Sequence, residues 1–120
     1  MKLQESAENY LETILVLSKK SSFVRSIDIV NALNFSKPSV SVAMKKLSKS
    51  GYIKIGKDGA ITLTENGLEI AEKVYDRHVF LTNWLVSIGV DENIASEDAC
   101  KMEHIISQQT IEALKKNYGK

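Results

Sequence analysis

"NFSKPSVSVAMKKLSKSGYIKIGKDGAITL", residues 34–63, sets a helix with its own start signal directly before two short alternating segments. Ser36 is a residue type whose hydroxyl accepts from the first unpaired N–H groups of a helix. Pro38 is tolerated in the first turn, where no intrahelical bond needs the N–H that proline lacks. Val40, Ala43, Met44 and Leu47 recur at the spacing of one helical face, so a helix is expected from Ser36 toward Gly51 with that face turned inward. "YIKI" and "AITL" then alternate around "GKDG", whose Asp58-Gly59 supplies the positive φ angles that a tight hairpin needs. The stretch reads as a helix followed by a two-stranded wing.

Upstream of it, Ser26 reads as the cap of a short helix carrying Ile27, Ile29, Val30 and Leu33, with "NFSKP" as the turn that follows. Further back, Tyr10, Leu11, Ile14, Leu15 and Leu17 predict a helix from about Ser6 to Ser18, interrupted by "KKSSF". Downstream, Thr64 caps a long helix whose stripe is Leu68, Ala71, Tyr75, His78, Leu81, Leu85 and Ile88, and Gly89 ends it. Two shorter helices follow, with Ser107 between them. Helix, short helix, turn, helix, hairpin is the order of a winged helix-turn-helix. The expected fold is mostly α: an N-terminal winged helix-turn-helix with a short two-stranded β-wing in residues 1–64, then a helical region in residues 65–120.

The charge map assigns tasks to these regions. Net charge is only +1, yet from Ile29 to Lys57 the chain holds Lys37, Lys45, Lys46, Lys49, Lys54 and Lys57 and no acid. From Asp91 to Glu112 the balance reverses, with six acids against Lys101. Lysines alone would be an ordinary solvated face. In register with the turn, the cap and the wing, they point to double-stranded DNA, with Lys37, Lys45, Lys46 and the wing's Lys57 neutralising phosphates. Ser36, Pro38, Ser39, Ser41 and Val42 complete the candidate DNA surface, with Ser39, Ser41 and Val42 nearest the bases. One such helix reads only a few base pairs. Two related by a two-fold axis read a pseudo-palindromic operator, so a homodimer is expected, with Trp84, Leu81, Leu85 and Ile88 in core or interface.

Composition excludes several classes. A single cysteine forms no internal disulfide, no 18-residue apolar run is present, and "MKLQESAENY" lacks the features of a secretory signal. A cytoplasmic protein with no membrane association is expected.

"DACKMEHIIS", residues 98–107, places Cys100, Glu103 and His104 at positions i, i+3 and i+4, which on a helix share one face. Thiolate, carboxylate and imidazole are all metal ligands. Each residue alone has an ordinary role: Cys100 as a small buried side chain, Glu103 and His104 as surface polarity.

The chain resembles the diphtheria-toxin-repressor-like and manganese-transport-regulator-like metalloregulators over nearly its whole length. The stretches that carry the likeness are "ENYLETIL", "SKPSVS", "GYIKI", "ITLTENG", "RHVFLTNWL" and, most specific, "EDACKMEHIIS". The resemblance implies a winged helix followed by a helical dimerisation region, with divalent metal favouring the DNA-binding arrangement. It also implies that Cys100, Glu103 and His104 are the principal ligands, that His78 is the ligand of the long helix, and that Asn9 and Glu12 contribute from the first helix. Asn9 departs from the methionine of iron-type and the aspartate of manganese-type members. Cys100 is iron-like, whereas Glu12 with His78 is manganese-like, so the expected metal is Fe(II) first and Mn(II) second. Thr82 and Ser96 stand where the iron type draws a second site, which is therefore not expected in that form. Val42 replaces the glutamine often found in relatives. Many iron-type relatives carry a further C-terminal SH3-like domain, and in length the chain resembles the shorter manganese type.

The expected function is a metal-dependent transcriptional regulator, a repressor of metal-ion homeostasis genes. The rival is a metal-independent winged-helix regulator that responds to a small molecule or to thiol oxidation. An enzyme is not expected: the sequence has no Gly-rich phosphate loop and no separate carboxylate pair, and both histidines are taken as ligands.

Overall fold

A computed structural model describes residues 5–118; the outer ends of the two expected domains, residues 1–4 and 119–120, lie outside the described residues. The chain divides into two compact units, residues 1–72 and 73–120.

The first unit contains α1 (Glu5–Lys20), α2 (Ser26–Leu33), α3 (Lys37–Lys49), β1 (Ile53–Ile55), β2 (Ile61–Leu63) and the opening turns of α4 (Glu65–Ser87). Its core is aliphatic. Leu11, Ile14 and Ile29 are fully buried beside Val40, Met44, Leu47, Ile53 and Ile61, and burial of each such side chain contributes about 1.5–3 kcal/mol. Of the inward face read from the sequence of α3, Val40, Met44 and Leu47 are buried and Ala43 is half-buried. Tyr10 of α1 meets Phe35 of the α2–α3 turn edge to face, with ring centroids 5.8 Å apart.

Local chemistry sets the boundaries. Asn34 ends α2 in the left-handed region, at φ 58°, which asparagine tolerates better than most residues. Ser36 caps α3, its hydroxyl accepting from Ser39 N–H at 3.2 Å and donating to Ser39 Oγ at 2.8 Å. The cap of α2, expected at Ser26, is Arg25: the Asp28 carboxylate accepts from Arg25 N–H at 2.8 Å, which makes Ser26 the first helical residue. The wing also departs from expectation. β1 and β2 pair antiparallel with Ile55 opposite Ile61, but among the turn residues Gly59 alone takes a positive φ, and Asp58 does not. Gly59 N–H donates to Gly56 O and the Asp58 carboxylate accepts from Ala60 N–H, so the loop is a turn closed by a left-handed glycine.

Thr64 joins the wing to α4. Its hydroxyl donates to Gly51 O at 2.7 Å and accepts from Gly67 N–H at 3.2 Å. A Cβ on Gly67 would lie 2.0 Å from Tyr52 O, so glycine is required where α4 passes the wing.

The second unit holds the rest of α4, α5 (Glu92–Met102) and α6 (Gln108–Tyr118). Leu81, Ala99 and Ile111 form its buried centre, with Phe80, Trp84, Met102, Ile106 and Leu114 packed against it. Asp91 caps α5 and Ser107 caps α6. Gly89, at φ +105°, follows the end of α4, where Val90 N–H reaches back to Leu85 O. Of the expected α4 stripe, Ala71, Leu81 and Leu85 are buried, Tyr75 and His78 are half-buried, and Leu68 and Ile88 are exposed; Val74, outside the stripe, is buried.

Candidate functional site

Two surfaces carry chemistry, one in each unit. In the first, every proposed DNA contact is exposed: Ser36, Lys37, Pro38, Ser39, Ser41, Val42, Lys45 and Lys46 on and before α3, and Lys57 on the wing. The helix fold produces this directly, because the positions that alternate with Val40, Met44 and Leu47 must face outward. Val42 is 54% exposed, an apolar side chain on an otherwise polar face.

In the second unit, polar groups gather inside the fold. Glu103 is fully buried, a state that a carboxylate sustains only with partners. Its Oε2 lies 2.9 Å from His78 Nδ1, and its Oε1 lies 3.4 Å from His104 Nε2. The His104 side chain is 3% exposed and that of His78 is 25% exposed. The hydrogen bond that the Glu103 carboxylate accepts raises the His78 pKa above its ordinary value, burial works against this, and the carboxylate's charge reinforces it.

The local backbone explains the placement. The i, i+3, i+4 spacing predicted one continuous helix face, but α5 stops at Met102. Glu103 is its C-cap, still right-handed, and His104 lies in the turn beyond. Cys100, inside α5, is exposed, whereas Glu103 faces inward. The structure therefore brings His78, Glu103 and His104 together and leaves Cys100 at the surface of its helix. Asn9 and Glu12 belong to the first unit, on one face of α1; Asn9 is half-buried and Glu12 is buried. Thr82 and Ser96 are both half-buried.

One residue of this region escaped the sequence reading. Arg77 Nη1 donates to Glu103 O at 3.0 Å and to Ile106 O at 3.1 Å, and Nη2 donates to Gln108 Oε1 at 2.7 Å. Its only sequence signal is its position beside His78.

A divalent cation suits the donor set. Glu103 Oε1 is buried and has no hydrogen-bond partner among the described residues, which leaves an anionic oxygen available beside an imidazole. Carboxylate and imidazole together suit Mn(II), Fe(II) and their neighbours.

A helix-turn-helix with an exposed serine and lysine face and a hairpin wing defines a winged-helix DNA-binding domain, and here it precedes a helical unit with a carboxylate-imidazole cluster. The comparisons agree. Residues 2–61 match the family described as iron dependent repressor, N-terminal DNA binding domain, and residues 64–120 match iron dependent repressor, metal binding and dimerisation domain. The chain belongs to the iron-dependent repressor family of transcriptional regulators, which are not enzymes. It is 37% identical over 115 residues to an uncharacterized HTH-type transcriptional regulator of Methanocaldococcus jannaschii, covering 94% of this chain and 92% of that one. It is 33% identical over 110 residues to the transcriptional regulator MntR of Salmonella typhimurium, covering 92% and 70%. The solved structure of the manganese regulator SloR superposes with a TM-score of 0.81 at 26% identity, over 97% of this chain and 54% of that one. No helix among the described residues is long and apolar enough to cross a membrane.

Proposed function

We propose that the protein is a cytoplasmic, homodimeric repressor that binds a pseudo-palindromic operator when loaded with Fe(II) or, second, Mn(II), and so regulates metal-ion homeostasis. The observation that carries the reading is Glu103: a fully buried carboxylate between two imidazoles, with Oε1 lacking a hydrogen bond among the described residues. His78, Glu103 and His104 are the proposed ligands of the second unit. Cys100 joins them on the strength of the family resemblance, as do Asn9 and Glu12 of α1.

When bound, the cation supplies the positive charge that a buried carboxylate otherwise lacks, and directional bonds to nitrogen and oxygen donors. Glu103 holds the imidazole of His78 in orientation through Nδ1, and His78 gives up its proton on loading. In the first unit, Lys37, Lys45, Lys46 and Lys57 engage phosphates, while Ser39, Ser41 and Val42 lie toward the base edges. Metal raises operator affinity by favouring the protein arrangement that binds DNA, and by linkage DNA raises metal affinity by the same factor. The relatives pull both ways on the metal: the family is that of iron dependent repressors, and SloR is a manganese regulator. Cys100 is the residue that separates the two, because thiolate favours the softer iron.

The test is fluorescence anisotropy on genomic DNA fragments, with each divalent metal in turn under anaerobic conditions. Affinity should rise with Fe(II) or Mn(II), return to the metal-free value with chelator, and lose most of its metal response in His104→Ala, with weak nonspecific binding unchanged. Equal affinity in metal and in chelator would refute the proposal.

A further inference from the structure

We propose that Arg77 is the positioning residue of the metal centre, holding the Glu103–His104 turn against α4 so that both side chains stand ready beside His78. The inference rests on the metal reading above and concerns a residue that the ligand set does not include.

The turn lacks helical support. α5 ends at Met102, and the carbonyls at and beyond a helix end have no intrahelical partner. Met102 O accepts from Ile105 and Ile106 N–H, at 3.1 and 3.0 Å, but this leaves the carbonyls of Glu103 and Ile106 to be satisfied elsewhere. Arg77 takes both with one nitrogen, at 3.0 and 3.1 Å, and its second terminal nitrogen holds the Gln108 side chain at the start of α6. A planar guanidinium offers its donors in a fixed fork, so these three contacts constrain orientation as well as distance.

Chain position gives the fork its consequence. Arg77 and His78 are consecutive in α4, so the helix that supplies one imidazole also binds the backbone on either side of His104, at Glu103 and at Ile106. The Glu103 carbonyl is bound by Arg77 and its carboxylate by His78. Glu103 is thus held at both ends from a single stretch of α4, and its side chain has little room to swing. Groups that orient metal ligands in this way typically account for 10–100-fold of metal affinity. Lysine would keep the charge and one donor point but lose the fork.

The experiment compares Co(II) binding to the full-length wild type, Arg77→Met, Arg77→Lys and His104→Ala, followed by the ligand-field absorption spectrum and by competition with a chromophoric chelator. Circular dichroism and thermal melts of the metal-free proteins check that each variant is folded. Arg77→Met keeps the aliphatic stem and should stay folded while Co(II) affinity falls about 10–100-fold and the spectrum changes in position or intensity. Arg77→Lys should be intermediate, and should carry the test if the methionine variant does not fold. A purely structural residue would lower the melting temperature and leave the spectrum and affinity of the folded fraction unchanged, and that result in both variants would overturn the inference. The metal reading fails separately: if His104→Ala bound Co(II) as wild type does, the site itself would be lost, and the role of Arg77 with it.

Discussion

The two units of this chain are held together differently. The first buries a broad aliphatic core, Leu11, Ile14, Ile29, Val40, Met44, Leu47, Ile53 and Ile61, and keeps its lysines and serines outside. In the second, the centre is Leu81, Ala99 and Ile111, and a buried carboxylate lies in the same unit, bounded by two imidazoles and reached from behind by an arginine. An aliphatic core needs only to exclude water. A buried carboxylate needs partners, and its contribution depends on which partners are present. The DNA-reading unit should therefore owe most of its stability to a core that metal does not touch, whereas that of the second unit should be conditional on metal.

Truncation in the first core should produce the largest change. Met44→Ala removes a side chain that is 1% exposed, and should cost about 2–5 kcal/mol in chemical denaturation. The increment added by saturating Mn(II) should be the same as in wild type, since effects at separate sites add. If the increment vanished too, the contrast between the units would not hold.

Glu103→Gln is the mirror image. The amide oxygen can still accept from His78, so the metal-free protein should lose about 1 kcal/mol or less. What should disappear is the metal-dependent stabilisation, about 2.7 kcal/mol in wild type at a hundred times the dissociation constant. A Glu103→Gln protein that gained as much as wild type from Mn(II) would move the site elsewhere.

Lys46→Ala tests the first unit's surface and should have a smaller effect. Binding should weaken several-fold, equally for all sequences, and the salt slope should fall by about 1. A changed operator preference with an unchanged slope would instead put Lys46 against a base.

The smallest effect is a pH dependence in the second unit alone. His78 has a raised pKa because it is paired with Glu103, so the pair stabilises the metal-free fold fully below the unfolded value of 6.5. That contribution fades as pH rises through the higher folded value. Metal binding requires the neutral imidazole, so affinity should rise over the same window. Melts of metal-free protein and Mn(II) titrations from pH 6 upward should show the opposite trends, and His78→Gln should flatten both.

Most of the first unit was legible because its determinants are local. Ser36 and Thr64 are caps that act within three residues, and the α3 stripe is a spacing. Where local rules competed, the reading slipped. The Asp28 carboxylate moved the α2 cap from Ser26 to Arg25, and the wing turn used one left-handed residue where two were expected. In the second unit the candidate donor types stand in "EDACKMEHIIS", and the backbone beneath them was not readable there. No glycine or proline ends α5. The carbonyls of the turn beyond it are satisfied by an arginine 26 residues back from Glu103, and no window of sequence around the motif contains that partner.

The Arg77 fork also bears on how quickly the protein can respond. Its hydrogen bonds to the Glu103 and Ile106 carbonyls do not involve a cation, so under the proposed metal reading the turn should keep its shape through cycles of loading and release. A site that had to refold on each cycle would lag behind its signal by the time needed to rebuild a chain segment. One whose backbone is already in place would wait only for dehydration of the ion and, with His78 as the proposed ligand, for departure of its proton. Gene expression under such a regulator should follow the arrival and depletion of metal, and not the protein's own folding clock.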